Sequence, residues 1–283
     1  YNHSDIRHVL ERASARETAI RTALGAICLL ILRDLGIYLF GYVASIGSKT
    51  CDNIDFSDLE KLRDIQESSS TMCPNEESDI EFENEIKIAR KKKDTLGGSI
   101  SVIVKGIPVG LGSYVHYDRK IDGRIASAFM SVQSVKAVSI GNGIDAHKYF
   151  GTEFHDEITL EDKELRRSTN NSGGIEGGMT TGEDLVATAY LKPISTTLTP
   201  LKSVNLNTKE QVETVYERSD TCSVPRAVPI FETIIAIEVL QCLLEKTGGD
   251  NKKEISARKE SLPGKFIDDF DMESEKWTMG YDL

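Results

Sequence analysis

Positive charge is in deficit here: 34 lysines and arginines face 45 aspartates and glutamates, for a formal net charge of −11. That excludes nucleic acid as a main partner, because a phosphate backbone needs a basic surface. A small anionic ligand stays possible, in a pocket whose local charge opposes the global one. Cysteine is also scarce. Cys28, Cys51, Cys73, Cys222 and Cys242 form no CxxC and no metal-ligand spacing. They read as reduced thiols of a cytoplasmic protein, not as a disulfide framework. His3, His8, His116, His147 and His155 make no HExxH or other ligand pattern, so no metal is expected. No stretch reaches the roughly 18 apolar residues of a membrane span. The longest, Ala23–Leu32, ends at Arg33 and reads as a buried helix. No signal-peptide pattern and no internal repeat is visible. The chain starts at Tyr1, without methionine, directly before a helical pattern, as a piece of a longer protein would.

What is present is ordinary for a soluble globular protein. Of 283 residues, 39% are apolar and 28% charged, enough for one large domain or two small ones. Residues 5–12 predict a short helix. Ser14 and Glu17 fit a capping box that starts a second helix running to Gly36. That helix is apolar on nearly every side in its second half, which predicts a place in the core. Residues 37–47 read as a strand and 48–75 as polar and irregular. Residues 79–94 read as an exposed charged helix whose Lys/Arg run is a solvated face. Residues 97–118 hold one or two strands broken by Gly106 and Pro108. Residues 124–141 turn from helix to strand near Val138, and a strand leads into Lys192. Residues 228–246 form another apolar helix, stopped at Gly248. The tail after Asp250 is polar apart from Trp277 and Tyr281, and is expected to be partly disordered. Helices and strands do not alternate regularly, so the fold class is α+β, with helices layered against sheets.

Four segments carry candidate chemistry, and each has a plain structural reading beside the functional one. "ERASARETA" (Glu11–Ala19) puts Arg16 in the first turn of a helix, where free N–H groups and the dipole suit an anion. "NNSGGIEGGMTTG" packs Gly173, Gly174, Gly177 and Gly178 into six residues. Glycine this dense weakens regular structure, and the loop is neither a P-loop nor G-x-G-x-x-G. It is either slack surface or a backbone that comes close to something flat or anionic. "KPIST" (Lys192–Thr196) offers a cation, two hydroxyls and backbone donors at a strand end, all usable by phosphate. In "ERSDTCSVP", Arg218 and Asp220 are two apart and share a side of an extended chain, so the arginine would keep the aspartate ionised.

Together with "DTLGG" (Asp94–Gly98) and "VHYDRKIDGR" (Val115–Arg124), these segments fall in the order seen in chorismate synthases, and residues 1–250 resemble that family. The resemblance implies a β-α-β sandwich, with long helices between antiparallel sheets, assembled as a homotetramer. It implies reduced FMN as cofactor and 5-enolpyruvylshikimate 3-phosphate as substrate. The reaction is a 1,4-anti elimination of phosphate giving chorismate, a step of aromatic amino acid biosynthesis. The flavin contacts implied are Ser14, Ala15, Arg16, Gln133, Ser134, Gly177, Lys192, Pro193, Ile194, Ser195, Thr196 and Arg218. Arg16 and Arg218 would also face substrate anions. Asp220 resembles the family's aspartate near flavin N5, which helps the flavin take the substrate's hydrogen. Fungal members reduce their own flavin with NADPH; no added reductase domain is visible, so an external reductant is expected. Family members normally begin upstream of Tyr1, in a portion bearing two proton-donating histidines and several substrate arginines. The 283 residues alone are therefore expected to be inactive. The other reading is a non-catalytic flavin-binding remnant or scaffold.

Overall fold

Two long helices lie against one face of an antiparallel sheet in the computed structural model, which describes residues 1–270. The chain opens with α1 (Arg7–Ala13), a 3-10 turn at Ala15–Glu17, and α2 (Thr18–Asp34). The hairpin β1 (Tyr38–Ile46) and β2 (Lys49–Thr50) follows, then α3 (Leu59–Ser68) and α4 (Glu76–Lys91). Next come β3 (Gly98–Lys105), α5 (Ile121–Met130), β4 (Val135–Ile140) and the single turn α6 (Gly151–Phe154). Two small hairpins, β5 (Ile158–Glu161) with β6 (Glu164–Arg167) and β7 (Ile175–Glu176) with β8 (Met179–Thr180), precede β9 (Leu185–Leu191). A third hairpin, β10 (Lys202–Val204) with β11 (Gln211–Glu213), leads to α7 (Val224–Thr247) and α8 (Lys252–Glu260).

The main sheet runs β2-β1-β3-β9-β4, with every neighbouring pair antiparallel. The observed class is therefore α+β. Register decides where chemistry can gather. Ile46 pairs with Gly98, and Leu191 pairs with both Gly98 and Val135. One end of the sheet thus collects the exit of β1, the entry of β3, the entry of β4 and the exit of β9. Strand β9 buries Leu185, Ala187, Ala189 and Leu191 while the residues between are half-exposed, the period of two expected of a strand. Strand β3 is buried at six consecutive positions because both its faces are covered. Helix α7 packs on one side, and Phe40, Tyr42, Leu62 and Ile103 cluster on the other.

Helix α7 is the core of the helical layer, with 14 of its 24 residues buried. By length and apolarity it could cross a membrane, but here those side chains pack on the sheet and on α2 and α5. Phe129 and Phe231 meet edge to face at 5.0 Å between ring centres; burying each stabilises the fold by roughly 1.5–3 kcal/mol. The helix starts four residues before the expected Val228, since Pro225 is tolerated in a first turn whose N–H groups lack partners anyway. Gly25 of α2 lies on Thr233. A Cβ there would stand 2.3 Å from the Thr233 carbonyl oxygen, so only glycine lets the two helices approach this closely.

Three expectations change. Helix α2 is not enclosed: Leu32 is fully buried, yet Ile20, Leu24 and Ile27 are 69%, 56% and 58% exposed. Its Gly25 side faces α7, and its opposite stripe faces outward among the described residues. The polar 48–75 stretch contains α3, whose Leu62 and Gln66 are buried and whose Leu59, Arg63 and Ile65 are half-buried. The Ser14–Glu17 capping box does not form. Ser14 Oγ accepts from the Arg16 N–H at 3.4 Å, while the Glu17 carboxylate turns to other partners. Past Asp250 the chain forms α8, capped by Asn251; Trp277 and Tyr281 lie outside the described residues.

Candidate functional site

The sheet end defined by Gly98, Leu191 and Val135 brings most of the candidate residues together through hydrogen bonds. Gln133 and Ser134 form the turn between α5 and β4. The Ser134 carbonyl accepts from the Lys192 N–H at 2.9 Å, which joins that turn to the strand-end segment Lys192–Thr196. Ser134 holds φ +74°, a left-handed conformation uncommon for a residue with a side chain. The Gln133 amide nitrogen donates to Glu17 Oε1 at 3.1 Å, tying the same turn to the start of α2, beside Ser14, Ala15 and Arg16.

The Lys192–Thr196 segment is held from two further sides. Thr95 Oγ1 donates to the Ile194 carbonyl at 2.6 Å, and Ser219 Oγ donates to the Thr196 carbonyl at 3.1 Å. Arg218 and Asp220 flank Ser219, so the fourth candidate segment reaches the same corner. Leu96 adds a backbone bond to the Thr221 carbonyl at 2.9 Å. Gly97 permits all this: a Cβ on it would stand 2.2 Å from the Leu191 carbonyl oxygen and 2.9 Å from the Pro193 nitrogen.

Exposed cations gather at this corner of an acidic chain. Arg16, Lys192 and Arg218 are all exposed, and Arg16 makes only a loose 3.3 Å contact with Glu11. The expected pairing of Arg218 with Asp220 is not what forms. Asp220 accepts from Arg226 Nη1 at 2.8 Å, because the first turn of α7 carries Arg226 back across the loop. Arg218 makes no ion pair among the described residues. Next to the corner, α2, α5 and α7 enclose a cleft of about 610 Å³. Tyr117, Asp118, Gly123 and Arg124 line it, all from the "VHYDRKIDGR" segment. Arg21 reaches across its mouth to Ser131 Oγ at 2.6 Å.

The site's chemistry fits a flavin phosphate. Gln133 Oε1 is buried and has no hydrogen-bond partner among the described residues. An orphaned acceptor of this kind costs about 1–3 kcal/mol and suits a ligand N–H, such as that of a flavin ring. The three exposed cations and the hydroxyls of Ser195 and Thr196 suit a phosphate.

Gly177 stands apart. It sits at the exposed tip of the β7–β8 hairpin with φ +59°, and a Cβ there would meet only the end of Met179. That hairpin belongs to the Leu185 end of β9, six residues from Leu191, or about 20 Å along the strand. The base of the glycine loop is rigid. Asp156, 8% exposed, accepts from Thr169 Oγ1 at 2.5 Å and from the N–H groups of Asn171 and Ser172 at 2.7 and 2.9 Å. Burial pushes this carboxylate's pKa up, and the hydrogen bonds outweigh it, leaving it lowered to about 2.

Sequence reasoning missed Glu17, Thr95, Ser219, Arg226 and Asp156. Glu17 was visible only as a cap, and Thr95 and Ser219 sit inside quoted segments as unremarkable hydroxyls. Nothing local to the Asp156 stretch points to a partner 13–16 residues away.

Known proteins resemble this chain over most of its length. The family profile described as chorismate synthase matches residues 1–244. The chorismate synthase of Caldicellulosiruptor bescii is 46% identical over 255 residues, spanning 89% of this chain and 67% of the relative. That of Bacillus velezensis is 44% identical over 263 residues, spanning 93% and 67%. A solved structure titled as the crystal structure of chorismate synthase superposes with a TM-score of 0.77 at 39% identity, covering 92% of this chain and 72% of that one. The relatives are thus longer than the 283 residues here, and this chain belongs to the chorismate synthase family.

Proposed function

We propose that the protein is a flavin-dependent carbon–oxygen lyase that removes phosphate from 5-enolpyruvylshikimate 3-phosphate by 1,4-anti elimination to give chorismate. The observation that carries this is the convergence of four separated segments on one corner, joined by Gln133–Glu17, Ser134–Lys192 and Ser219–Thr196, in a chain of this family. Reduced FMN, when bound, would supply an electron transiently and recover it within the turnover, so the reaction has no net redox change. Lys192, Ser195 and Thr196 hold its phosphate, and Gln133 Oε1 takes a ring N–H. Arg16 and Arg218 neutralise the substrate's carboxylates and leaving phosphate, where fixed positive charge lowers the barrier. Asp220, which pairs with Arg226 at the rim of this corner, assists removal of the substrate's hydrogen as an acid–base group.

In this reading the protein is a cytoplasmic homotetramer that takes its reduced flavin from an external reductant. Gly177, at the other end of β9 from Lys192, contributes a bare backbone for a flavin to approach. The 283 residues alone do not turn over, because a phosphate and two carboxylates need more cations than Arg16, Lys192 and Arg218 supply. The test is a titration with FMN followed by anaerobic turnover with chemically reduced FMN, monitored as chorismate absorbance. Flavin absorbance should shift on binding, and binding should tighten with substrate present. An unchanged flavin spectrum would overturn the flavin reading. Steady turnover by the bare 283-residue chain would overturn the last clause.

A further inference from the structure

Two cysteines on the β2 side of the sheet face each other in the core. The sulfurs of Cys51 and Cys73 stand 3.3 Å apart, and both residues are buried, at 5% and 0% exposure. They are held there by backbone. The Cys51 N–H donates to the Ala44 carbonyl at 2.8 Å, fixing it beside β1. The Cys73 N–H donates to Ser69 Oγ at 2.9 Å, fixing it at the end of α3. Val43 bonds the Met72 carbonyl at 3.2 Å, and Gln66 Nε2 bonds the Gly41 carbonyl at 2.6 Å, so both loop ends are pinned to the same strand.

The two thiols are not equivalent. The Cys73 S–H donates to the Cys51 sulfur, so the Cys51 pKa falls in spite of burial. Cys73 is pushed up, first as that donor and then by burial. The other three thiols, Cys28, Cys222 and Cys242, are each raised by burial. Thiolate character sets the order of attack on an oxidant. By exposure alone, the half-buried Cys28 and Cys222 would react before the buried pair.

We infer that Cys51 and Cys73 form a peroxide-responsive dithiol, closing to a disulfide that ties the β1–β2 hairpin to the α3–α4 loop. The Cys51 thiolate attacks one oxygen of hydrogen peroxide, the O–O bond breaks, and hydroxide leaves, giving a sulfenic acid. The Cys73 sulfur attacks that sulfenic sulfur, its proton goes to the departing hydroxyl, and water leaves. Two thiols and one peroxide become one disulfide and two waters, so the peroxide is reduced and the sulfurs are oxidised. The sulfurs need to approach by only about 1.3 Å to reach a bond length of ~2.05 Å. The bond closes a span of 22 residues that contains α3.

The experiment treats the intact 283-residue chain with hydrogen peroxide, blocks remaining thiols under denaturing conditions, and maps peptides by mass spectrometry. The expected product is a Cys51–Cys73 crosslink that appears at least roughly tenfold faster than any oxidation of Cys28 or Cys222 and is reversed by dithiothreitol. In Cys73→Ser the reaction stops at sulfenic acid on Cys51, trapped by dimedone. Cys28 or Cys222 oxidising first, or Cys51 proceeding to sulfinic acid without a crosslink in the parent chain, overturns the inference. The parent chain alone decides the matter should the variant fail to fold.

Discussion

The Gln133 side-chain amide donates to Glu17 Oε1 at 3.1 Å while Arg21 Nε occupies the other oxygen of the same carboxylate at 2.8 Å. Glu17 therefore orients Gln133 so that its orphaned Oε1 is the atom left for a ligand. Glu17→Ala should free the Gln133 amide to rotate. FMN affinity should fall by about tenfold, the equivalent of ~1.4 kcal/mol, in a fluorescence titration of the flavin. The thermal melt should barely move, since the Glu17–Arg21 pair is about one-third exposed and such pairs contribute little. An unchanged flavin Kd would reduce Glu17 to a surface ion-pair partner.

The Asp156 carboxylate anchors the glycine loop, and its pKa lowered to about 2 makes that anchor pH-dependent. A carboxylate whose folded pKa lies below its unfolded value of 3.8 stabilises the fold above that unfolded value. The contribution is full above about pH 4 and fades as pH falls towards 2. Asp156→Asn replaces one acceptor oxygen with an NH₂ group that faces existing donors, at a cost of about 1–3 kcal/mol. Calorimetry at pH 7 should show Tm lower by roughly 2–6 °C. Between pH 4 and pH 2 the parent should lose Tm more steeply than the variant, and parallel curves would show that Asp156 is not the group that titrates.

The long elements were legible because their signals are local. Strand β9 alternates, and Gly248 with φ +61° stops α7 where a glycine stop is expected. The six quoted segments carried the family because each keeps its own order of residues. What was hidden depends on partners far along the chain. Apolarity on all sides of α2 says that it packs, but not that Ile20, Leu24 and Ile27 face outward among the described residues. Helix α3 was invisible because few of its residues are apolar: it rests on the sheet through Leu59 and Leu62 and is tied there by Arg63 and Gln66, which bond the Leu39 and Gly41 carbonyls. Arg226 displaced Arg218 as the partner of Asp220 because a helix start, six residues on, turns the chain back.

Gly97 sets the distance between the "DTLGG" and "KPIST" segments. In Gly97→Ala the new Cβ would collide with the Leu191 carbonyl and the Pro193 nitrogen, both backbone and unable to rotate away. The strand end must then move, and with it the Thr95–Ile194 bond. Expected outcomes are a Tm lower by several degrees, on the order of 1–3 kcal/mol of overpacking, and FMN binding weakened by at least about tenfold. A variant that keeps parental FMN affinity would show that Lys192–Thr196 does not form the phosphate site.

Asp220 and Arg226 form an exposed pair at 2.8 Å, with side chains 45% and 78% exposed, so the pair itself contributes about 0–1 kcal/mol to stability. A structural role and a catalytic role therefore predict different things. If the aspartate only holds Arg226, then Asp220→Ala and Arg226→Ala should match each other in every assay. If Asp220 takes the substrate's proton, they should part. In the native gene product, Asp220→Ala should cut turnover by roughly 10²-fold or more, the scale of a lost acid–base group, with FMN affinity intact. Arg226→Ala should stay within about threefold of the parent, because it leaves the aspartate's carboxylate in place and removes only an exposed ion-pair partner. The two variants are compared by anaerobic stopped-flow with reduced FMN and by flavin titration. Equal turnover in both would make Asp220 a partner of Arg226 and would move the search for the proton acceptor to the cleft lined by Asp118 and Arg124.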